Sequence, residues 1–219
     1  MLKCLVKMGK NDPQFCGSFF LLSGVYDLSL NKISIMKKKI AVHLAEGFEE
    51  IEAISIIDVL RRAELEVLVV SVTGKLEVTG AHHIRVIADT LFEEVNYEEL
   101  FMIVLPGGMP GASNLDAHAG LKNQIKRFDQ QSRPLAAVCA APMVLGNMGI
   151  LSGKKAVCYP GFEKYLKDAE VLTVPVIESG HVITGRGIGA VLEFALLIVK
   201  RAVSAEKSEV IAKQILVEN

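Results

Sequence analysis

The feature that most constrains this chain is an alternation, from Met36 onward, of short wholly apolar runs with longer amphipathic ones. Residues 39–44 read as a buried strand, 50–63 as a helix and the valine-rich 66–72 as a second strand. Gly74-Lys75 and Thr79-Gly80 bracket short strands that end near Val86-Ile87, and residues 102–105 form a further buried strand closed by Pro106-Gly107-Gly108. A surface helix is expected over 121–131, a strand over 135–138, and a helix from about 140 to 148 that stops at Gly149. Residues 171–172, 176–178 and 182–184 read as edge strands or a hairpin, 190–202 as a very apolar helix and 205–216 as a last amphipathic one. Near-continuously hydrophobic strands interleaved with helices specify an α/β domain, a mostly parallel sheet with helices on both faces. In such open sheets the ligand lies outside the carboxyl ends of the strands. That rule gathers residues 45–52, 106–111, Cys139 and 185–187, each of which follows an expected strand.

The chain has 219 residues, 51% hydrophobic and 22% charged, enough to bury a core without disulfide staples. Its net charge of -1, with no long run of like charge outside Lys37-Lys38-Lys39, argues against nucleic acid or an anionic membrane as partner. Cys4, Cys16, Cys139 and Cys158 form no CxxC pair and have no nearby histidine, so neither a disulfide framework nor a structural zinc site is expected. Free thiols of this kind fit a reducing, cytoplasmic compartment.

Residues 1–35 differ in composition from the rest. They hold Asn11-Asp12-Pro13, Gly17-Ser18, Ser23-Gly24 and one short apolar patch, Phe19-Phe20-Leu21-Leu22, which is too short for a signal peptide or a membrane span. The expectation is an N-terminal extension, either poorly ordered or upstream of a true start at Met36, followed by a single domain over 36–219.

The segment Ala136-Ala137-Val138-Cys139-Ala140-Ala141-Pro142 sets a thiol where a buried strand meets a helix, with only small residues beside it. Small neighbours let the chain turn sharply and expose the sulfur, the geometry of a nucleophile elbow. A helix N-terminus carries a partial positive charge of about half a unit, so a thiolate and a depressed pKa are expected. The plain alternative is a buried cysteine acting as a small hydrophobe. Glu49, Glu50 and Glu52 follow the first strand: they suit the start of a helix, and one of them is placed to exchange a proton with Cys139, although spacing does not say which. In Pro106-Gly107-Gly108-Met109-Pro110-Gly111 the glycines offer either backbone amides for an oxyanion or simply a tight turn. The segment lacks the GxxxxGK and GxGxxG patterns of nucleotide sites.

Four ordered segments, Ala45-Glu46-Gly47-Phe48-Glu49-Glu50-Ile51-Glu52, Leu105-Pro106-Gly107-Gly108, Ala137-Val138-Cys139-Ala140-Ala141-Pro142 and Thr184-Gly185-Arg186-Gly187, resemble the ThiJ/PfpI superfamily. More narrowly they resemble the branch of the Parkinson-disease-associated protein deglycase and its bacterial relatives, over about residues 38–216. The resemblance implies a flavodoxin-like three-layer sandwich, a homodimer, and a readily oxidised cysteine at the elbow. It matches Glu52 to a protonated glutamate that hydrogen-bonds the cysteine, and Gly108 and Ala140 to positions whose amides face the reacting oxygen. It implies an enzyme of glyoxalase III or protein deglycase type, using no cofactor and no metal, that acts on methylglyoxal-like dicarbonyls or early glycation adducts in oxidative and carbonyl stress. The competing class is a redox sensor or holdase chaperone in which oxidation of the same cysteine is the signal.

Many members of that family carry a histidine where this chain has Tyr159, within Val157-Cys158-Tyr159-Pro160-Gly161-Phe162. A tyrosine hydroxyl donates a hydrogen bond but, with a pKa of about 10, is a poor base, which leaves base work to Glu52. Ala140 follows the cysteine where peptidase members have histidine, so peptidase activity is not expected. Amidotransferases that share the elbow need a downstream His-x-Glu pair, and His181 is followed two residues on by Ile183. His82 and His83, read as strand neighbours on opposite faces, do not suit joint metal binding. Cys158 reads as a buried thiol at a strand end.

Overall fold

The computed structural model describes residues 38–217; the extension expected over 1–35, with Cys4, Cys16 and the start at Met36, lies outside them. The elements run β1 (Lys39–Leu44), α1 (Glu50–Arg62), β2 (Glu66–Ser71), β3 (Glu77–Thr79), β4 (Arg85–Ile87), β5 (Thr90–Leu91) and β6 (Leu100–Leu105). They continue with α2 (Gly111–Ala117), α3 (Ala119–Gln130), β7 (Leu135–Val138), α4 (Pro142–Asn147), β8 (Lys155–Ala156), β9 (Glu170–Val171), β10 (Val176–Ser179), β11 (Val182–Gly185), α5 (Val191–Ala202) and α6 (Ala205–Gln214).

Seven strands form one sheet in the order β10-β11-β7-β6-β1-β2-β5. Every pairing is parallel except that of the edge strand β10 with β11. The central strands are buried on both faces, as their unbroken apolar sequences require. Side-chain alternation along β1 divides the core in two. Ile40, Val42 and Leu44 pack with Ile56 and Leu60 of α1 and Phe194 and Ile198 of α5; Ala41 faces Leu121, Ile125 and Phe128 of α3. Helices therefore cover both faces, in the expected flavodoxin-like three-layer sandwich.

Three local differences from the sequence reading bear on the site. The helix after Cys139 begins at Pro142 rather than about 140, because residues 139–141 are spent on the turn and proline suits the first helical position. The strand expected over 171–172 is β9, which pairs with β8 outside the main sheet. His82 and His83 are not strand residues: they lie in the turn between β3 and β4, where His83 has φ 67°.

From β1 the chain passes to β2 on one side and later returns to β6 on the other. Connections of opposite sense leave a crevice at the carboxyl ends of β1 and β6. Into it run the start of α1, the loop after β6 and, from the next strand, the turn after β7.

Candidate active site

Cys139 follows β7 directly with φ 62°, in the left-handed region that residues other than glycine seldom occupy. Neighbouring backbone holds it there: its amide donates to the Gly185 carbonyl at 2.9 Å, and its carbonyl accepts from the Tyr159 amide at 2.8 Å. The sharp turn expected of an elbow is thus clamped between β11 and the segment after β8.

Glu52 is the third residue of α1 and is wholly buried. Its Oε2 accepts from the Gly107 amide at 2.9 Å. Its carboxyl also meets the Cys139 thiol in a close polar contact, although Oε1 has no well-aligned hydrogen bond. Gly107 is glycine for want of room, since a Cβ there would stand 2.6 Å from the Cys139 Cβ and 2.7 Å from Glu52 Oε2. At Gly108, φ is 91° and a Cβ would fall 2.3 Å from the Glu49 amide nitrogen. The two glycines let the loop after β6 lie directly on α1 and the elbow.

Burial raises the Glu52 carboxyl from its ordinary 4.5 to about 7; the Gly107 amide and the Cys139 thiol oppose the rise, and the charge of Glu49 adds to it. Burial also pushes the Cys139 thiol up to about 12, reinforced by the charge and hydrogen bonding of Glu52, while the amides of Ala140 and Gly108 pull it down. The depressed thiol expected from a helix N-terminus is therefore not what the fold provides. The helix starts three residues later, and a desolvated sulfur beside a carboxylate resists ionisation. When Glu52 carries a proton the like-charge opposition disappears and only burial remains against the two amides. The proton on one of these groups thus governs ionisation of the other.

Of the three amides expected to face an oxyanion, those of Gly108 and Ala140 point toward the sulfur, whereas that of Gly107 is committed to Glu52. Tyr159 is half exposed and its backbone is bonded to that of Cys139, but its hydroxyl forms no hydrogen bond among the described residues. The structure also separates the three glutamates. Glu50 accepts from the amides of His82 and Ile84 at 2.7 and 3.3 Å and pairs with His82 Nδ1 at 2.9 Å, and Glu49 lies 3.6 Å from the same nitrogen. Ligand atoms of Glu49, Glu50 and His82 lie within 4.8 Å of one another, yet both Glu50 oxygens are already bound within the β3–β4 turn. His181 sits at the opposite end of the sheet, in the β10–β11 turn, paired with Asp129 at 2.9 Å. Cys158 is buried, and burial pushes its thiol up to about 11.

One contributor was missed by sequence reasoning. Thr184, buried in β11, accepts from the Val157 amide at 2.9 Å and so fixes the segment that carries Tyr159. A lone threonine inside an otherwise apolar strand was its signal. Beside the elbow, between Tyr159 and Gly187, opens a cavity of about 480 Å³.

Residues 38–201, three quarters of the chain and all of the site just described, match the model of the DJ-1/PfpI family. The chain belongs to the DJ-1/PfpI family. Among sequence relatives, DJ-1 homolog B of Arabidopsis thaliana is 38% identical over 82% of this chain, which spans 41% of the length of that plant protein. A deglycase of Pyrococcus abyssi is 31% identical over 68% of this chain and 89% of its own. The solved structure of oxidised DJ-1 from Toxoplasma gondii superposes with a TM-score of 0.80 at 38% identity, covering 83% of this chain and all of that one. The DJ-1/PfpI fold thus accounts for the mostly parallel sheet with helices packed around it. No helix among the described residues of this DJ-1/PfpI domain is long and apolar enough to cross a membrane.

Proposed function

We propose that this DJ-1/PfpI domain is a cysteine-dependent enzyme of glyoxalase or deglycase type, acting on methylglyoxal-like dicarbonyls and early glycation adducts with Cys139 as nucleophile and Glu52 as its proton partner. The observation that carries the reading is the buried contact of one carboxyl, raised to about 7, with the thiol at the elbow. A group that titrates near neutrality is suited both to give and to take a proton.

The sulfur adds to the aldehyde carbon of the dicarbonyl, forming a C–S bond, and the carbonyl oxygen collects negative charge against the amides of Gly108 and Ala140. The thiol proton passes through Glu52 to that oxygen, leaving a hemithioacetal. Glu52, again a carboxylate, removes the remaining hydrogen from the same carbon as a proton, and the electron pair shifts toward the neighbouring ketone, whose oxygen takes up a proton. Glu52 returns its proton to the former ketone carbon while the hemithioacetal hydroxyl gives up its own, which leaves the neutral thioester of a 2-hydroxy acid. Water cleaves the thioester to lactate and restores the thiol. One carbon is oxidised and its neighbour reduced, so no external oxidant is consumed. Early adducts on amines join at the first step, because breaking their C–N bond releases the same dicarbonyl.

The relative named a deglycase supports the reaction class. A homodimer is supported by apolar side chains left at the surface: Ile51 and Ile54 on α1, together with Ile84, whose amide is bound to Glu50. The free thiols fit a cytoplasmic setting. The test is lactate formation from methylglyoxal by the purified protein, with Cys139→Ser alongside. Turnover that vanishes in the variant is expected. Absence of turnover, with Cys139 still oxidising under peroxide, would favour the redox-sensor or holdase role instead.

A further inference from the structure

The cavity beside the elbow is larger than a three-carbon dicarbonyl needs. At about 480 Å³ it falls in the range of pockets that enclose whole small-molecule ligands. Its walls come from Tyr159 and Pro160 on one side and Pro175, Arg186, Gly187 and Ile188 on the other. Backbone hydrogen bonds brace both walls. The Tyr159 amide donates to the Cys139 carbonyl, the Cys139 amide to the Gly185 carbonyl, and the Arg186 amide to the Pro175 carbonyl at 2.9 Å. Gly187 brings this lining next to the sulfur: a Cβ there would lie 3.4 Å from the Tyr159 ring and 3.9 Å from Cys139 Sγ, in contact with both.

The lining is apolar except for one charge. Arg186 donates from Nη1 to the Thr173 carbonyl at 3.0 Å, and among the described residues it has no carboxylate partner. A guanidinium held by a single bond keeps N–H groups that match the two oxygens of a carboxylate. A largely apolar cavity, adjacent to a nucleophile at Gly187 and lined by an unpaired cation, is complementary to an apolar body that carries an anion.

We infer that this groove is a substrate subsite, and that Arg186 selects α-dicarbonyls whose apolar tail ends in a carboxylate over neutral ones of the same shape. The inference rests on the proposed chemistry at Cys139 and names its substrate class. Tyr159 would stack on the tail, which gives a role to the residue standing where many family members carry histidine.

Two measurements test it. The first compares kcat/KM for 4-carboxyphenylglyoxal with that for phenylglyoxal, in the wild-type protein, Arg186→Gln and Arg186→Lys. The second needs no turnover: 4-acetylbenzoate and acetophenone, which lack the reactive aldehyde, compete with iodoacetamide for access to Cys139, read by mass spectrometry of the Cys139 peptide. A charge-assisted contact predicts roughly a tenfold preference for the carboxylated compound in both assays. That preference should fall to near one in Arg186→Gln and be partly kept in Arg186→Lys. Equal behaviour of the two compounds in the wild-type protein, or a preference that survives Arg186→Gln, overturns the inference. If neither glyoxal is turned over but protection still favours 4-acetylbenzoate and depends on Arg186, the subsite stands and the proposed reaction fails.

Discussion

The Gly107 amide and Glu52 Oε2 are joined by a buried 2.9 Å hydrogen bond across 55 positions of sequence. The bond fastens the loop after β6 to the first turn of α1, and the Cys139 Cβ stands against the same glycine. Gly107→Ala should therefore be among the most damaging single changes at this site. A methyl at 2.6 Å from Cys139 Cβ and 2.7 Å from Glu52 Oε2 forces the carboxyl and the thiol apart. Overpacking of this kind costs roughly 1–3 kcal/mol, and thermal unfolding together with turnover of methylglyoxal would measure both losses.

Glu52→Gln keeps an acceptor for the Gly107 amide but cannot exchange a proton. Turnover should drop by roughly 10²–10⁴-fold while the fold persists. Stability should also respond to pH. A carboxyl raised from 4.5 unfolded to about 7 folded favours the folded state below pH 4.5, and that contribution is lost as pH rises through 7. It amounts to about 3 kcal/mol. Denaturant unfolding across pH 4–8 should show a downward slope with rising pH in the wild type relative to Glu52→Gln.

His43 should act in the opposite direction. It lies fully buried in β1, bonded to the Tyr97 hydroxyl at 2.8 Å, and burial lowers its pKa from 6.5 to about 3. A histidine held neutral when folded gives up its contribution as pH falls from 6.5 toward 3. His43→Leu should flatten the acid side of the stability profile, with unfolding followed between pH 3 and 7. An unchanged acid transition would mean that other groups set it.

Cys139 should oxidise before Cys158. Both thiols are raised by burial, so access decides the order, and Cys139 is partly exposed whereas Cys158 is buried. In the proposed site a protonated Glu52 would donate to a sulfinate oxygen and hold the cysteine at that stage, so Glu52→Asp, with its shorter reach, should shift the products away from sulfinate. Site-by-site peptide mass spectrometry after graded peroxide reads both effects. Oxygen gained first at Cys158 would contradict the assignment.

Tyr159→Phe should change turnover only modestly, because the hydroxyl has no hydrogen-bond partner among the described residues and the ring remains in place. A loss within about 0.5–1.5 kcal/mol of activation free energy is expected from kcat/KM. A loss as deep as that of Cys139→Ser would make the hydroxyl a principal catalytic group.

By itself the sequence determined the layering and the location of the site. The apolar runs of β1, β6 and β7 have no polar face to give to solvent, so they have to be central parallel strands. A cysteine followed by Ala140-Ala141-Pro142 at the end of such a run has to turn where ligands bind. Spacing leaves Glu49, Glu50 and Glu52 alike, and although the family resemblance points to Glu52, only the tertiary structure sets that carboxyl against the thiol and turns Glu50 to His82. The same holds for the ionisation of Cys139. A helix start read along the chain predicts a lowered pKa, but desolvation and the Glu52 charge come from segments far away along the chain, and in a buried site they outweigh the local dipole. Spacing along a chain records what each segment prefers alone, whereas electrostatics depends on which distant segments remove the water.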